Sequence, residues 1–154
     1  MPQVQNRRFG ALEYESSAAI DFPFGLPGFE QARRFALIGQ PRVAPALILQ
    51  DLDSLDLSFL VLAVGAIQPD YELAATSEDL EALGLDPARQ PVIGEEVLCL
   101  AILSAPENGP LTANFLAPVV VNLRTRVALQ AVRVDRRYSH QHPLTKTEDQ
   151  APCS

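Results

Sequence analysis

The sequence predicts a mainly β fold, an antiparallel β-barrel-like domain with one short helix. Three observations point there. Thirteen prolines in 154 residues work against long helices, because proline breaks helix interiors and is confined to strand edges and turns. Short apolar segments recur, separated by turn residues. Only one stretch carries both the start and the stop signals of a helix.

Taken in order, residues 10–14 and 18–22 show strand-like alternation. Pro23-Phe24-Gly25-Leu26-Pro27-Gly28 then pairs proline with glycine twice, which forces tight turns. Phe22, Phe24 and Phe29 around these turns are expected in the core. Residues 35–38, 46–49 and 57–64 read as strands. The last is apolar nearly throughout, so it belongs at a sheet centre or is buried on both faces. Thr76-Ser77-Glu78-Asp79 sets a hydroxyl cap ahead of two acids, Leu80 and Leu83 share a face, and Gly84 ends the helix. Residues 97–103, 118–123 and 126–134 complete the strands. Apolar content falls after Tyr138, which predicts one domain over 1–144 and a polar, disordered tail over 145–154.

A chain of this length buries roughly two-thirds of its unfolded surface, so no metal or disulfide is needed to hold it. No run of 18 apolar residues is present, so no membrane span is expected. No apolar segment follows Arg7 and Arg8, so no secretory signal is expected. Cys99 lies in an apolar strand and Cys153 in the polar tail, which is no disulfide framework. The expected address is the cytoplasm.

The net charge of −7 is unevenly spread. Eleven acids fall between Asp51 and Glu96 against Arg89 alone, while six bases face three acids from Arg124 onward. The acidic middle argues against phosphate-backbone binding, which needs a basic surface. It fits a basic protein partner, because opposite potentials steer encounter. The plainer reading is that these acids keep the domain soluble.

Catalytic patterns are sparse. His140 and His142 lie two apart and share a strand face, with Asp135 as a distant third ligand; this trio is the basis of an alternative reading as a small metal-dependent hydrolase. The plainer reading is solvated tail histidines. Cys99 sits among Val97, Leu98, Leu100 and Ala101 and reads as a buried, inert thiol. No G-x-S-x-G elbow, phosphate loop or G-x-G-x-x-G unit occurs. No cofactor is implied.

The most distinctive segment is 112–122, TANFLAPVVVN, an apolar strand bracketed by Asn114 and Asn122 and broken by Pro118. Asparagine is disfavoured in strands. Either the two amides face a partner's backbone, or they satisfy buried backbone groups at strand ends. Proline at a sheet edge would mark an edge strand open to pairing. Asn114, Leu116, Ala117, Pro118 and Asn122 are therefore the candidate partner-binding residues, with Tyr71 as a possible surface anchor or a cap on the core. Replacing Asn122 with alanine is expected to weaken partner binding at little cost in thermal stability.

Arg8-Phe9-Gly10, the 22–30 turn motif, Arg34-Phe35, Leu49-Gln50, Pro69-Asp70-Tyr71, Leu83-Gly84, the 112–122 motif, Gln130-Ala131-Val132 and His142-Pro143-Leu144 occur in an order that resembles the flagellar assembly factor FliW family. The resemblance implies a small antiparallel β-barrel-like protein without enzymatic activity. It implies two partners, flagellin and the carbon storage regulator CsrA, an RNA-binding translational repressor. It further implies relief of CsrA repression of flagellin translation by allosteric antagonism, away from the RNA-binding face. A second alternative is an acidic nucleic-acid mimic that blocks an RNA-binding protein directly. With no heptads or other oligomer signal, a monomer is expected.

Overall fold

Strands that are apolar on consecutive residues must be covered on both sides, and the packing follows from that. The computed structural model describes residues 3–6, 8–54, 56–105 and 109–144. The expected 145–154 tail lies outside the described residues. A two-stranded hairpin opens the chain: β1 (Gln3–Asn6) pairs antiparallel with β2 (Gly10–Glu13). The main sheet contains β3 (Ala19–Asp21), β4 (Arg34–Gly39), β5 (Leu47–Asp51), β6 (Ser58–Ala63), β7 (Val97–Ser104), β8 (Thr112–Ala113), β9 (Val119–Asn122), β10 (Ala128–Gln130) and β11 (His142–Pro143). Its path runs β10-β9-β7-β6-β5-β4-β3, with β8 on β7 and β11 on β8. The named strand pairs are antiparallel.

The sheet curls but is not a closed barrel. Its two ends, β3 and β10, meet only at a parallel bridge between Asp21 and Val127, where the Asp21 N–H donates to the Arg126 carbonyl at 2.9 Å. Beyond Asp21 the chain turns away, and the ladder stops.

Side-chain alternation sorts the apolar residues into separate clusters. Phe35, Leu49, Val61, Leu100, Val119 and Val121 fill the inside of the curl with Ile20, Phe22 and Leu26. The intervening Val97, Cys99, Ala101 and Val120 face the other way, under the 64–93 segment. Ala36, Ile38 and Ile48 pack beneath the β1–β2 hairpin. The near-continuous apolar runs thus serve both faces, with one cluster inside the curl and two on its outer side. Cys99 is fully buried, and burial pushes its thiol up to about 12, so it is no nucleophile at neutral pH.

One predicted helix is α2 (Ser77–Ala82), and its cap is as expected: the Thr76 hydroxyl accepts the Asp79 N–H at 3.0 Å. Gly84 follows with φ +77°, a conformation glycine adopts without Cβ strain. The structure adds a second short helix, α1 (Val64–Ile67), where the sequence reads as the end of a strand. Apolar residues alone do not separate a buried strand end from a single helical turn. The strand expected over 126–134 shortens to β10.

Ahead of β7, Glu96 forms a clamp. Its carboxylate accepts two hydrogen bonds from Arg89, at 3.0 and 2.6 Å, and the Val92 N–H at 2.7 Å. The Arg89 bonds, then the Val92 N–H, pull the Glu96 carboxyl from 4.5 down to about 2. The folded value lies below the unfolded one, so this contribution is full above pH 4.5 and fades as pH falls toward 2. NMR titration of the Glu96 side-chain carbon should give a midpoint near 2, and Arg89→Ala should raise it; a midpoint near 4.5 would contradict the clamp.

Candidate functional site

The two most distinctive motifs of the sequence, the 22–30 turn and the 112–122 segment, lie side by side. The turn is built around Gly25 at φ +65°, where a Cβ would stand 2.6 Å from the Glu30 backbone. The Gly25 N–H donates to the Phe22 carbonyl, and Leu26 and Phe29 exchange backbone hydrogen bonds at 3.2 and 2.7 Å. This geometry sends Phe22 and Leu26 inward and leaves Phe24 60% and Phe29 43% exposed. The expectation that all three phenylalanines are core holds only for Phe22. The glycine turn reverses the facing of Phe24, and local apolar pattern carries no record of that.

In the second motif, the Asn114 Oδ1 accepts the Leu116 and Ala117 N–H groups at 3.1 and 2.9 Å, closing a tight loop. Gln130 Nε2 donates to the Ala117 carbonyl at 2.8 Å and ties that loop to β10. A cleft of about 220 Å³ opens between the motifs, with Pro27 and Phe29 on one side, Asn114, Gln130 and His140 on the other, and Phe59 within. Asn114, Leu116 and Ala117 are half-buried.

The remaining sequence candidates face inward. Pro118 is buried at the position just before β9, where a missing N–H breaks no ladder, and its carbonyl accepts the Ala131 N–H at 2.9 Å. The motif is therefore not an edge strand: β9 is paired on both sides, by β7 and β10. Asn122 is buried at the far end of β9. Its Nδ2 donates to the Leu83 carbonyl at 2.7 Å, while Oδ1 accepts the Arg124 and Thr125 N–H groups at 2.9 and 3.4 Å. Of the two readings of this amide, its contacts are those of the second, the satisfaction of buried backbone groups. The structure thus brings Asn114 to the cleft, with Leu116 and Ala117 held behind it in the loop that its side chain closes, and sets Asn122 apart from them.

Tyr71 is buried against Phe115 and Tyr138, with ring centroids at 5.4 and 4.5 Å. Its hydroxyl donates to the Phe115 carbonyl at 2.7 Å. Burial, opposed by the neighbouring Arg133, pushes that hydroxyl up to about 12. The Arg133 guanidinium lies 4.6 Å over the Tyr138 ring, donates to the Glu72 carbonyl, and pairs with Asp135 at 2.7 Å.

The hydrolase trio is not assembled. Asp135 is engaged by Arg133, whose hydrogen bonds hold its carboxyl below the usual range. His142 stacks on Phe115 at 4.5 Å. Among the described residues, no group of three His, Cys, Asp or Glu side chains stands close enough to hold a metal ion.

The acidic middle is mostly on the surface. Asp51 is buried and accepts the Asp53 N–H at 2.9 Å. Asp79 and Glu96 are half-buried, and the other eight acids are exposed. Among the described residues, no helix is long and apolar enough to cross a membrane.

The FliW protein family model matches residues 3–144. The flagellar assembly factor FliW of Geotalea uraniireducens (strain Rf4) is 33% identical over 147 residues, covering 96% of this chain and 86% of that one. Its counterpart from Azoarcus sp. (strain BH72) is 32% identical over 131 residues, covering 84% of this chain and 90% of the other. A crystal structure of the flagellar assembly factor FliW aligns with a TM-score of 0.76 at 27% identity, covering 93% of this chain and 96% of that one. A match over nearly the whole chain, on a mainly β fold shared with that crystal structure, places this chain in the FliW family of flagellar assembly factors.

Proposed function

We propose that this chain acts in flagellum assembly as a non-enzymatic, cytoplasmic, monomeric regulator that binds flagellin and CsrA in turn. Binding of CsrA relieves its repression of flagellin translation by allosteric antagonism, and flagellin competes for the same pool of protein. The observation that carries this reading is the set of eight exposed carboxylates between Asp53 and Glu95 on a member of a flagellar assembly family. An RNA-binding repressor presents basic surface, and complementary potentials speed encounter and exclude wrong partners. Partition between two partners requires only competing equilibria, with a tenfold bias for each ~1.4 kcal/mol. In this reading Asn114, Leu116 and Ala117 touch the partner. Pro118 and Tyr71 support that loop from inside, Asn122 fixes the far end of β9, and residues 145–154 are an appendage to the 1–144 unit.

Calorimetry with purified CsrA and with flagellin, singly and in competition, tests the proposal. Binding to both, with one displacing the other, is expected. Binding to flagellin alone would leave an assembly factor without the translational role, and binding to neither would refute the reading. RNA bound to CsrA decides the mode: an allosteric antagonist forms a ternary complex at least transiently, whereas a nucleic-acid mimic competes for the RNA site. The association rate with CsrA should fall by about tenfold or more from low to physiological salt, because screening shortens the reach of the acidic surface.

A further inference from the structure

The incomplete closure of the sheet leaves a gap with a definite chemistry. On β10 and its continuation, the N–H groups of Ala131 and Arg133 point to Pro118 and Leu116 on the neighbouring chain segment. Strand geometry then sends the backbone groups of Gln130 and Val132 the opposite way. The other end of the sheet does not meet them, because β3 makes its last contact at Asp21 and the chain turns off at Pro23. Among the described residues, Val132 has no backbone hydrogen-bond partner.

A groove of about 240 Å³ lies in this gap, between the turn residues Phe24, Pro27 and Glu30 on one wall and Leu129 and Gln130 on the other, with Asp79 beside them. Phe24 on its wall is 60% exposed, and Val132, two residues beyond Gln130, is 54% exposed. The edge closes again at Val134, whose N–H donates to the Ala74 carbonyl at 2.9 Å. No lining residue is cationic, and two are carboxylates. Burial holds the Asp79 carboxyl above its ordinary value despite a hydrogen bond from Thr76, and Glu78 adds to the effect. A cation placed in the groove relieves that cost.

The geometry points to a docking groove for an extended peptide segment of a partner protein, which adds as a strand to the free edge at Gln130–Val132, sets apolar side chains against Phe24 and Val132, and places a lysine or arginine between Glu30 and Asp79. The open edge supplies backbone pairing, and the pockets on alternate side chains supply selectivity. The inference stands apart from the identity of the flagellar partners, since it concerns the form and charge of the segment bound.

Selection of a phage-displayed random heptapeptide library on the full chain, followed by synthesis of the enriched peptides, tests it. Enriched sequences should alternate apolar residues with lysine or arginine. On 15N-labelled protein they should shift the Val132 amide and slow its hydrogen exchange. The double variant Glu30→Gln, Asp79→Asn should keep its melting temperature and bind these peptides about tenfold more weakly, the equivalent of ~1.4 kcal/mol. Val132→Pro, which removes the edge donor, should weaken them as well. No enrichment, enriched peptides without a basic residue, or binding that leaves the Val132 amide unmoved would each overturn the proposal. So would protection of that amide in the protein alone that grows with protein concentration, because a second copy would then occupy the edge.

Discussion

Phe115→Ala should lower the melting temperature by about 12 °C, the equivalent of ~4 kcal/mol for a large cavity in a domain of this size. Phe115 is fully buried between β8 and the 116–118 loop. Its ring packs edge-on against Tyr71 and Tyr138 and stacks with His142 at 4.5 Å. Truncation removes the shared partner of three rings from two distant parts of the chain, Tyr71 on one and Tyr138 and His142 on the other, so little nearby can collapse into the space. Phe115→Leu keeps part of the volume and should lose clearly less. Thermal unfolding followed by circular dichroism reads both. A loss under ~1 kcal/mol for the alanine variant would mean that the aromatic cluster contributes little, since point mutants in general centre near that value.

Asn122→Ala should cost ~3 kcal/mol, or about 9 °C in melting temperature, because it strands a buried carbonyl and two turn N–H groups at once. The amide joins the end of the α2 region, through the Leu83 carbonyl, to the turn between β9 and β10, through Arg124 and Thr125. This reverses the expectation from sequence that the change would be mild for the fold. A binding assay on the variant is informative only at temperatures where it remains folded. A melting temperature within 2–3 °C of the parent would show that water replaces these hydrogen bonds at little cost. Asn114→Ala offers the contrast. Its amide closes a half-buried loop rather than a core junction, so a loss nearer ~1 kcal/mol is expected.

Much of the framework was legible in the sequence. The apolar runs at 46–49, 57–64, 97–103 and 118–123 identified strands, and the 57–64 run, expected at a sheet centre or buried on both faces, became β6 in the middle of the sheet path with most of its residues half-buried. The Thr76 cap and Gly84 stop delimited α2, since both act through bonds a few residues away. Cys99 read as inert from its apolar neighbours alone. These features depend on local geometry or on average burial, and both are written along the chain.

Tertiary structure decided the rest, and the reason is sequence distance. Asn122 meets Leu83 across 39 residues and Tyr71 meets Phe115 across 44, so whether each was a contact or a support depended on which segments became neighbours. Proline in the 112–122 motif suggested an edge, yet β9 is enclosed and the open edge lies on β10, a property of strand order and not of composition. Phe24 and Phe29 carry core residue types, but a turn with two positive-φ glycines, Gly25 and Gly28, leaves them exposed, Phe24 beside that edge. The sequence by itself determined a mainly β, two-faced fold with an acidic middle. Only the assembled sheet decided where that fold stays open, because an unpaired edge exists solely in relation to the strand that fails to reach it.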